Sequence, residues 1–213
     1  MIPLVALLLL LAQESPSALK ADPNGWTDLL ADAGPTLKGW TRGPIPPGGA
    51  LKERSQWSLD PKTGNLVCEG DGGHEWLRYD KEFGDFIYHV EWRYAPGDKT
   101  GYNSGLYVRN SADAKVWHQI QIGSASGGYL FGQTLKDGKL RSFDLSKSVT
   151  DPRVKPAGEW NVFEITCKGR DIRVWANGAV MNTWHDCPVP SGFLGVEAEG
   201  YRIEFRNVKV KPL

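Results

Sequence analysis

Seven residues with planar hydrogen-bonding side chains sit at alternating positions within short apolar segments: Glu91 and Arg93, Arg109, Gln119 and Gln121, Glu197 and Glu199. Their neighbours at the intervening positions are Val90 and Trp92, Leu106 and Val108, Ile120 and Ile122, Val196 and Ala198. Strand side chains alternate between two faces, so the apolar set points to a core and the polar set to the opposite face, where Tyr107 and Trp117 join it. Carboxylates, carboxamides and guanidinium groups make two-point hydrogen bonds to hydroxyls, and an aromatic ring covers the apolar face of a pyranose. This pattern is that of a sugar-binding face. Glu91, Glu197 and Glu199 are candidate bases on it, while Arg109, Gln119, Gln121 and Asn103 are groups able to hold an oxyanion. A solvated face with surface ion pairs is the plain alternative for any single pair, but a merely solvated strand more usually carries Lys, Thr or Glu than two alternating Gln.

Histidine supplies the other acid or base near neutral pH. His74-Glu75-Trp76 follows Gly70-Asp71-Gly72-Gly73, a turn able to bring an imidazole over the sheet. On that ground His74 joins Asn103, Tyr107, Trp117, Gln119, Gln121 and Arg93 as a candidate substrate contact; the plainer reading is a surface loop leading into a strand. His118 alternates with Ile120 and reads as an interior histidine, and His185 ends a strand with no evident partner. The sequence has no Ser-His-Asp motif, Walker loop or HExxH segment, so hydrolases built on those motifs are unsupported. Cys68, Cys167 and Cys187 lack CxxC spacing, which gives zinc no ligand pattern, and Cys167 lies in an apolar run as a small buried residue would.

Such residues need a frame, and the frame reads as all-β. Beyond residue 24, short alternating runs are broken by Gly, Pro, Asn and Asp, with almost no 3.6-residue periodicity, as in a sandwich or barrel. Asn177-Gly178 between β-formers marks a type I′ hairpin, and with the turn at 168–170 it predicts three consecutive antiparallel strands. Further strands are expected at 56–59, 65–69, 85–94, 105–109, 117–122, 192–198 and 203–210. Segments 44–49 and 136–156 are expected as long surface excursions of the kind that line sites. Of the nine Trp, Trp26, Trp40, Trp57, Trp92 and Trp160 are expected to fill the space between two sheets, and Trp117 and Trp76 to lie at the sugar.

Charge and composition narrow the partners. The 25 Lys and Arg balance the 25 Asp and Glu, so the cationic surplus that phosphate contacts require is missing and nucleic acid is not an expected partner. A 40% apolar and 23% charged composition is that of a globular chain. Residues 1–12 form an uncharged apolar run, shorter than the roughly 20 residues of a membrane span and of signal-peptide length. The expectation is a signal peptide ending between residue 12 and about residue 20, no membrane span elsewhere, and an exported protein, periplasmic or extracellular. Export would permit a disulfide, whose partners spacing does not assign. One domain is expected over residues 24–213.

Five segments in order carry a family resemblance: Gly25-Trp26-Thr27-Asp28-Leu29-Leu30 with Leu37-Lys38-Gly39-Trp40; Asp85-Phe86 leading to Glu91-Trp92-Arg93; Asn103-Ser104-Gly105-Leu106-Tyr107-Val108-Arg109; Gly158-Glu159-Trp160-Asn161; and Phe205-Arg206-Asn207-Val208. Together they resemble the 3-keto-disaccharide hydrolase domain family, formerly a domain of unknown function. The resemblance implies a concanavalin-A-like jelly-roll β-sandwich and an enzyme, or a relative of one, acting on glycosides already oxidised to a ketone at C3. Where members often carry Glu-x-Gln, this chain reads Gln119-Ile120-Gln121, and where Gln-x-His before Gly is common it reads Glu197-Ala198-Glu199-Gly200. One carboxylate is lost and two are gained, as in a subfamily with its base moved or in a member that only binds.

The implied chemistry follows from the ketone. It acidifies the C2 hydrogen, so a base can form an enolate that expels the C1 substituent, and water adds back. Such a site needs one base and enolate stabilisers, a divalent cation being one candidate, rather than the acid and nucleophile pair of ordinary glycosidases. A separate sugar 3-oxidoreductase would have to make the substrate. The competing expectations are a non-catalytic carbohydrate-binding module on the same sandwich and, on fold alone, a cell-surface adhesion domain.

Overall fold

The computed structural model describes residues 14–97, 101–123, 127–149 and 151–213; the apolar run at 1–12 lies outside them. In chain order the strands are β1 (Thr27–Asp28), β2 (Trp40–Pro44), β3 (Trp57–Leu59), β4 (Leu66–Cys68), β5 (Glu75–Phe83), β6 (Phe86–Tyr94), β7 (Gly105–Asn110) and β8 (Trp117–Gln121). They continue as β9 (Leu130–Lys136), β10 (Lys139–Asp144), β11 (Asn161–Lys168), β12 (Asp171–Ala176), β13 (Ala179–Trp184), β14 (Gly192–Ala198) and β15 (Ile203–Pro212). Two antiparallel sheets result. One has eight strands in the order β13-β12-β11-β6-β15-β4-β3 with β1 beside β15, and the other seven in the order β10-β9-β8-β7-β14-β5-β2. Among the described residues no helix is long and apolar enough to cross a membrane.

The two sheets enclose one main core. Phe86, Tyr88, Val90 and Trp92 of β6 join Phe163 and Ile165 of β11, Leu106 and Val108 of β7, and Ile120 and Ile122 at β8. Trp92 packs edge-on against Tyr94 and Phe163, each ring centroid 5.5 Å away, the preferred geometry for aromatic pairs. Trp40 and Trp57 are buried as expected, but Trp26 and Trp160 are not in the core. Trp26 meets His89 edge-on at 6.0 Å, and Trp160 lies under the guanidinium groups of Arg93 and Arg206 at 4.6 and 3.9 Å. Both rings lie beside outward residues of the eight-stranded sheet, where a cation rather than a core stabilises Trp160.

Segment 136–156 is also only partly an excursion. Its first third folds back as β10, paired along its whole length with β9 through Asp137-Gly138, where both residues have positive φ (52° and 70°). Nearly all of β10 is exposed, so it carries no apolar alternation, and the Asp-Gly pair was its one sequence signal.

His118 is interior, with Nδ1 3.1 Å from the Val108 carbonyl and Nε2 3.1 Å from Thr134 Oγ1; burial pushes its pKa down to about 4. The three cysteines are buried free thiols, and burial raises the pKa of Cys68 to about 12 and those of Cys167 and Cys187 above the ordinary thiol value. Because the thiolate is the reacting form, native protein treated with a maleimide at pH 7 should stay unlabelled at all three and become fully labelled in denaturant. Rapid native labelling, counted by mass spectrometry, would contradict this packing.

Candidate functional site

Three adjacent strands of the seven-stranded sheet carry the polar groups. β7 pairs with both β14 and β8, setting Tyr107 opposite Gln119 and Leu106 opposite both Ile120 and Val196. With the apolar partners inward, Tyr107, Gln119, Gln121 and Glu197 project from the other face and line a cavity of about 460 Å³. Glu197 is nonetheless only 2% exposed, because Ile45, Pro46, Pro47 and the His74 turn wall the same cavity. Of the 44–49 segment, expected as a surface excursion of the kind that lines sites, residues 45–47 line this cavity, and Pro44 ends β2.

Glu197 is the hub. Tyr107 Oη donates to its Oε1 at 2.5 Å, Gln119 Nε2 donates to its Oε2 at 2.7 Å, and His74 Nε2 lies 2.8 Å from Oε1. This donor set matches a carboxylate, against which His74 Nε2–H donates. The hydrogen bond to Glu197 raises the His74 pKa despite partial burial, with the charge of Glu199 adding to the effect. Glu199, just past β14, has its own pKa raised by burial and by the charge of Glu197, partly offset by His74 and Asn103. Asn103 in turn accepts from Gln121 Nε2.

The His74 turn is held from below. Gln56, 2% exposed, accepts from Gly72 N through Oε1 at 2.9 Å and donates through Nε2 to Gly73 O at 3.0 Å and Glu75 Oε1 at 2.9 Å. Arg42 clamps the buried Glu75 with contacts of 2.8 to 3.2 Å. On the cavity wall, Trp76 lies across two strand neighbours that only glycine could be: a Cβ at Gly43 would come within 2.3 Å of its indole and one at Gly195 within 2.7 Å. Trp76 meets Tyr107 edge-on at 5.6 Å.

Residues 25–211 match the model of the 3-keto-alpha-glucoside-1,2-lyase-like domain. The chain belongs to this family. No curated protein matches it. Solved structures that share the fold include a candidate glycosyl hydrolase from Parabacteroides distasonis ATCC 8503, with 18% identity, TM-score 0.63, and coverage of 94% of this chain and 99% of that one. The carbohydrate-binding module CBM66 from Bacillus subtilis shares 14% identity with TM-score 0.59, covering 81% and 95% of the two chains. A β-glucanase from Bacillus licheniformis shares 12% identity with TM-score 0.54, covering 88% and 97%. The two-sheet sandwich is accordingly a jelly roll of the glucanase and carbohydrate-binding-module kind.

In this lyase-like domain the cavity brings together Glu197, Glu199, Asn103, Tyr107, Trp117, Gln119, Gln121 and His74, all expected from the sequence, along with Trp76. Three other expected site residues lie elsewhere. Glu91 and Arg93 belong to β6, whose polar face is the outside of the eight-stranded sheet, on the opposite side of the sandwich. There Glu91 accepts from Arg206 Nε at 2.8 Å and Asn207 Nδ2 at 2.7 Å, while Arg93 pairs with Glu204 at 2.9 Å. Burial pushes the Glu91 pKa up, but His89, Asn207 and Arg206 outweigh it and hold it down to about 2, too weak a base for the task. Arg109 is fully buried and donates to the carbonyls of Gly84, Gly169 and Val189 and to Asp85.

The Arg109 misplacement has a backbone cause. Its φ is +50°, and β7 slips register against β14 at this point, so strict alternation ends there. Asn110, which alternation assigns to the core face, lines the cavity instead. Sequence reasoning also passed over Ala114, Phe131 and Gln133, which line the same cavity. Phe131 and Gln133 alternate with the buried Leu130, Gly132 and Thr134, a legible pattern in a strand that was not singled out.

Proposed function

We propose that this chain cleaves glycosides oxidised to a ketone at C3, by C2 proton abstraction, elimination of the C1 substituent and hydration. The supporting observation is a carboxyl group and an imidazole, both with raised pKa, in one cavity: Glu199, and His74 held by Glu197. Glu199 as a carboxylate and His74 as an imidazolium are the base and the cation that enolisation needs. Glu199 takes the C2 proton as the imidazolium stabilises the charge growing on the C3 oxygen. Collapse of the enolate breaks the C1–O bond, and the leaving oxygen takes the proton from Glu199. Water then adds to C1 with a proton to C2. Asn103 and Gln121 supply amides for the sugar hydroxyls.

His74, Glu197 and Glu199 also place one ligand atom each within 4.8 Å of one another, a set that fits a divalent cation, which when bound would polarise the C3 carbonyl. Dialysis against a chelator separates the two arrangements. Unchanged turnover leaves the proton transfer to Glu199 and the charge on the C3 oxygen to His74, and a loss restored by one divalent metal assigns the three groups to it.

The substrate class makes the protein dependent on a separate sugar 3-oxidoreductase, and the apolar run at 1–12 supports export to the periplasm or beyond. A binding module on the same sandwich is the second reading, favoured by Gln119, whose amide holds Glu197 where members often carry Glu. Methyl 3-keto-glucoside in D2O tests both. Loss of the ketosugar with deuterium entering C2 is the expected result, and calorimetric binding with no consumption would replace the enzyme by the module.

A further inference from the structure

A second cleft opens at the eight-stranded sheet, where β1 with the turn after it, the β3–β4 turn and β15 meet. It holds about 480 Å³ and is lined by Asp28, Leu30, Leu59, Asn65, Arg206 and Asn207 among others, a volume in the range of small-molecule sites. These residues belong to the eight-stranded sheet or its turns, and none of them lines the cavity around Glu197.

The polar wall of this cleft is made by an irregularity in β15. Register against β6 shifts between Arg206 and Lys209, and Asn207 has a φ of +47°. Consecutive residues of a regular strand point to opposite faces, yet Arg206 Nε and Asn207 Nδ2 both donate to Glu91, at 2.8 and 2.7 Å. Bulges re-aim side chains in this way and recur beside active sites.

Carboxylates behind the wall decide which atoms are left for a ligand. Glu91 accepts from Asn207 Nδ2, and Glu204 Oε2 accepts from Asn65 Nδ2 at 3.3 Å, so Oδ1 is the remaining atom of both amides. Asn65 is only 7% exposed, yet its Oδ1 accepts from no described residue and is not sealed from solvent. Acceptors set so deep are seldom left unmatched. Arg206, with its Nε on Glu91 and its guanidinium 3.9 Å from the Trp160 ring centroid, has no partner for either Nη among the described residues. The charges are already balanced, Arg206 by Glu91 and Asp28 by Lys209 at 2.6 Å. A charged ligand would compete with these pairs, whereas an uncharged one with several hydroxyls donates to the two Oδ1 atoms and accepts from Arg206.

We infer that this cleft is a second ligand site, taking a neutral hexose unit, either free or at the end of a glycan. It rests on its own lining and not on the proposed cleavage.

Side-chain amide signals in proton–nitrogen correlation spectra read the two clefts separately and without turnover. Titration with methyl glucoside, methyl mannoside and methyl galactoside should shift the Asn65 and Asn207 amides saturably, with a Kd of about 1–10 mM for at least one of them or for maltopentaose. Maltopentaose separates the two sources: binding about ten-fold or more tightly than methyl glucoside assigns the site to a glycan end, and equal affinity to a free hexose. Asn207→Gly, which accepts the positive φ and removes the amide, should weaken the binding read at Asn65 about five-fold or more, as should Asn65→Ala for the binding read at Asn207. No saturable shift at either amide, shifts confined to Asn103, Gln119 and Gln121, or an unchanged Kd in Asn207→Gly would overturn the second site. Tighter binding of glucuronate than of the methyl hexosides would overturn its neutral class. Asn207 is exposed, so Asn207→Gly keeps the test standing if Asn65→Ala misfolds.

Discussion

Glu197→Gln is expected to lower turnover of a 3-keto-glucoside by about 10²–10⁴-fold, the range that general acid–base groups supply, while the folded protein remains. The substitution keeps the shape of the side chain, removes its charge and turns one accepting oxygen into a donor, so the pH profile is what isolates the charge. Its largest expected signature is in the pH profile. The proposed reaction needs Glu199 ionised and His74 protonated, so the rate rises with pH through the Glu199 pKa and falls through the His74 pKa. Glu197 is the main cause raising His74 and, after burial, the cause raising Glu199. Without its charge both pKa values drop, and both limbs of kcat/KM against pH should move to lower pH, the alkaline limb by more because Glu197 is its first cause. A rate loss with unmoved limbs would make Glu197 a packing residue. An unchanged rate would remove the His74–Glu197 pair from the chemistry altogether.

The parity of single strands was legible in the sequence, and the sheet to which each strand belongs was not. Val90 and Trp92 do face the core as their alternation requires, and Glu91 and Arg93 do face away from it. In a two-sheet sandwich, however, away from the core means two opposite directions, and strand periodicity carries no information about which. Pairing supplies it: β7, β8 and β14 are neighbours, and β6 sits between β11 and β15. Local backbone exceptions were equally hidden. Nothing in Leu106-Tyr107-Val108-Arg109-Asn110 announces a positive φ at Arg109, a conformation that few side chains adopt, yet that one dihedral exchanges the roles of Arg109 and Asn110. His74 was visible as an imidazole on a glycine-rich turn; what the sequence lacked was Gln56, which fixes the turn from 16 and 17 residues away.

Arg109→Met is expected to destabilise the fold by about 3–5 kcal/mol, as removal of a buried, fully bonded charge partner does. In a domain of this size that lowers Tm by roughly 6–20 °C. The guanidinium ties β7 of one sheet to three turns: Nη2 and Nε reach Gly84 O at 2.9 and 3.2 Å, Nη1 reaches Gly169 O at 2.8 Å and Val189 O at 3.1 Å, and Nη2 pairs with Asp85 at 3.0 Å. Methionine fills much of the volume and satisfies none of these carbonyls, so the cost is the desolvated acceptors rather than a void. Asp85 is 41% exposed and regains water, which caps its share of the loss. Since Arg109 does not line the cavity, the variant should turn over a 3-keto-glucoside at close to the wild-type rate per folded molecule, assayed well below its lowered Tm. Glu91→Gln, on the far side of the sandwich, should leave turnover within about two-fold, as surface substitutions away from a site do. Thermal denaturation and kcat measured on the same preparations decide the matter: an Arg109→Met protein with unchanged Tm and lost turnover would return the guanidinium to the enolate, and with it the assignment of the cation to His74 would fall.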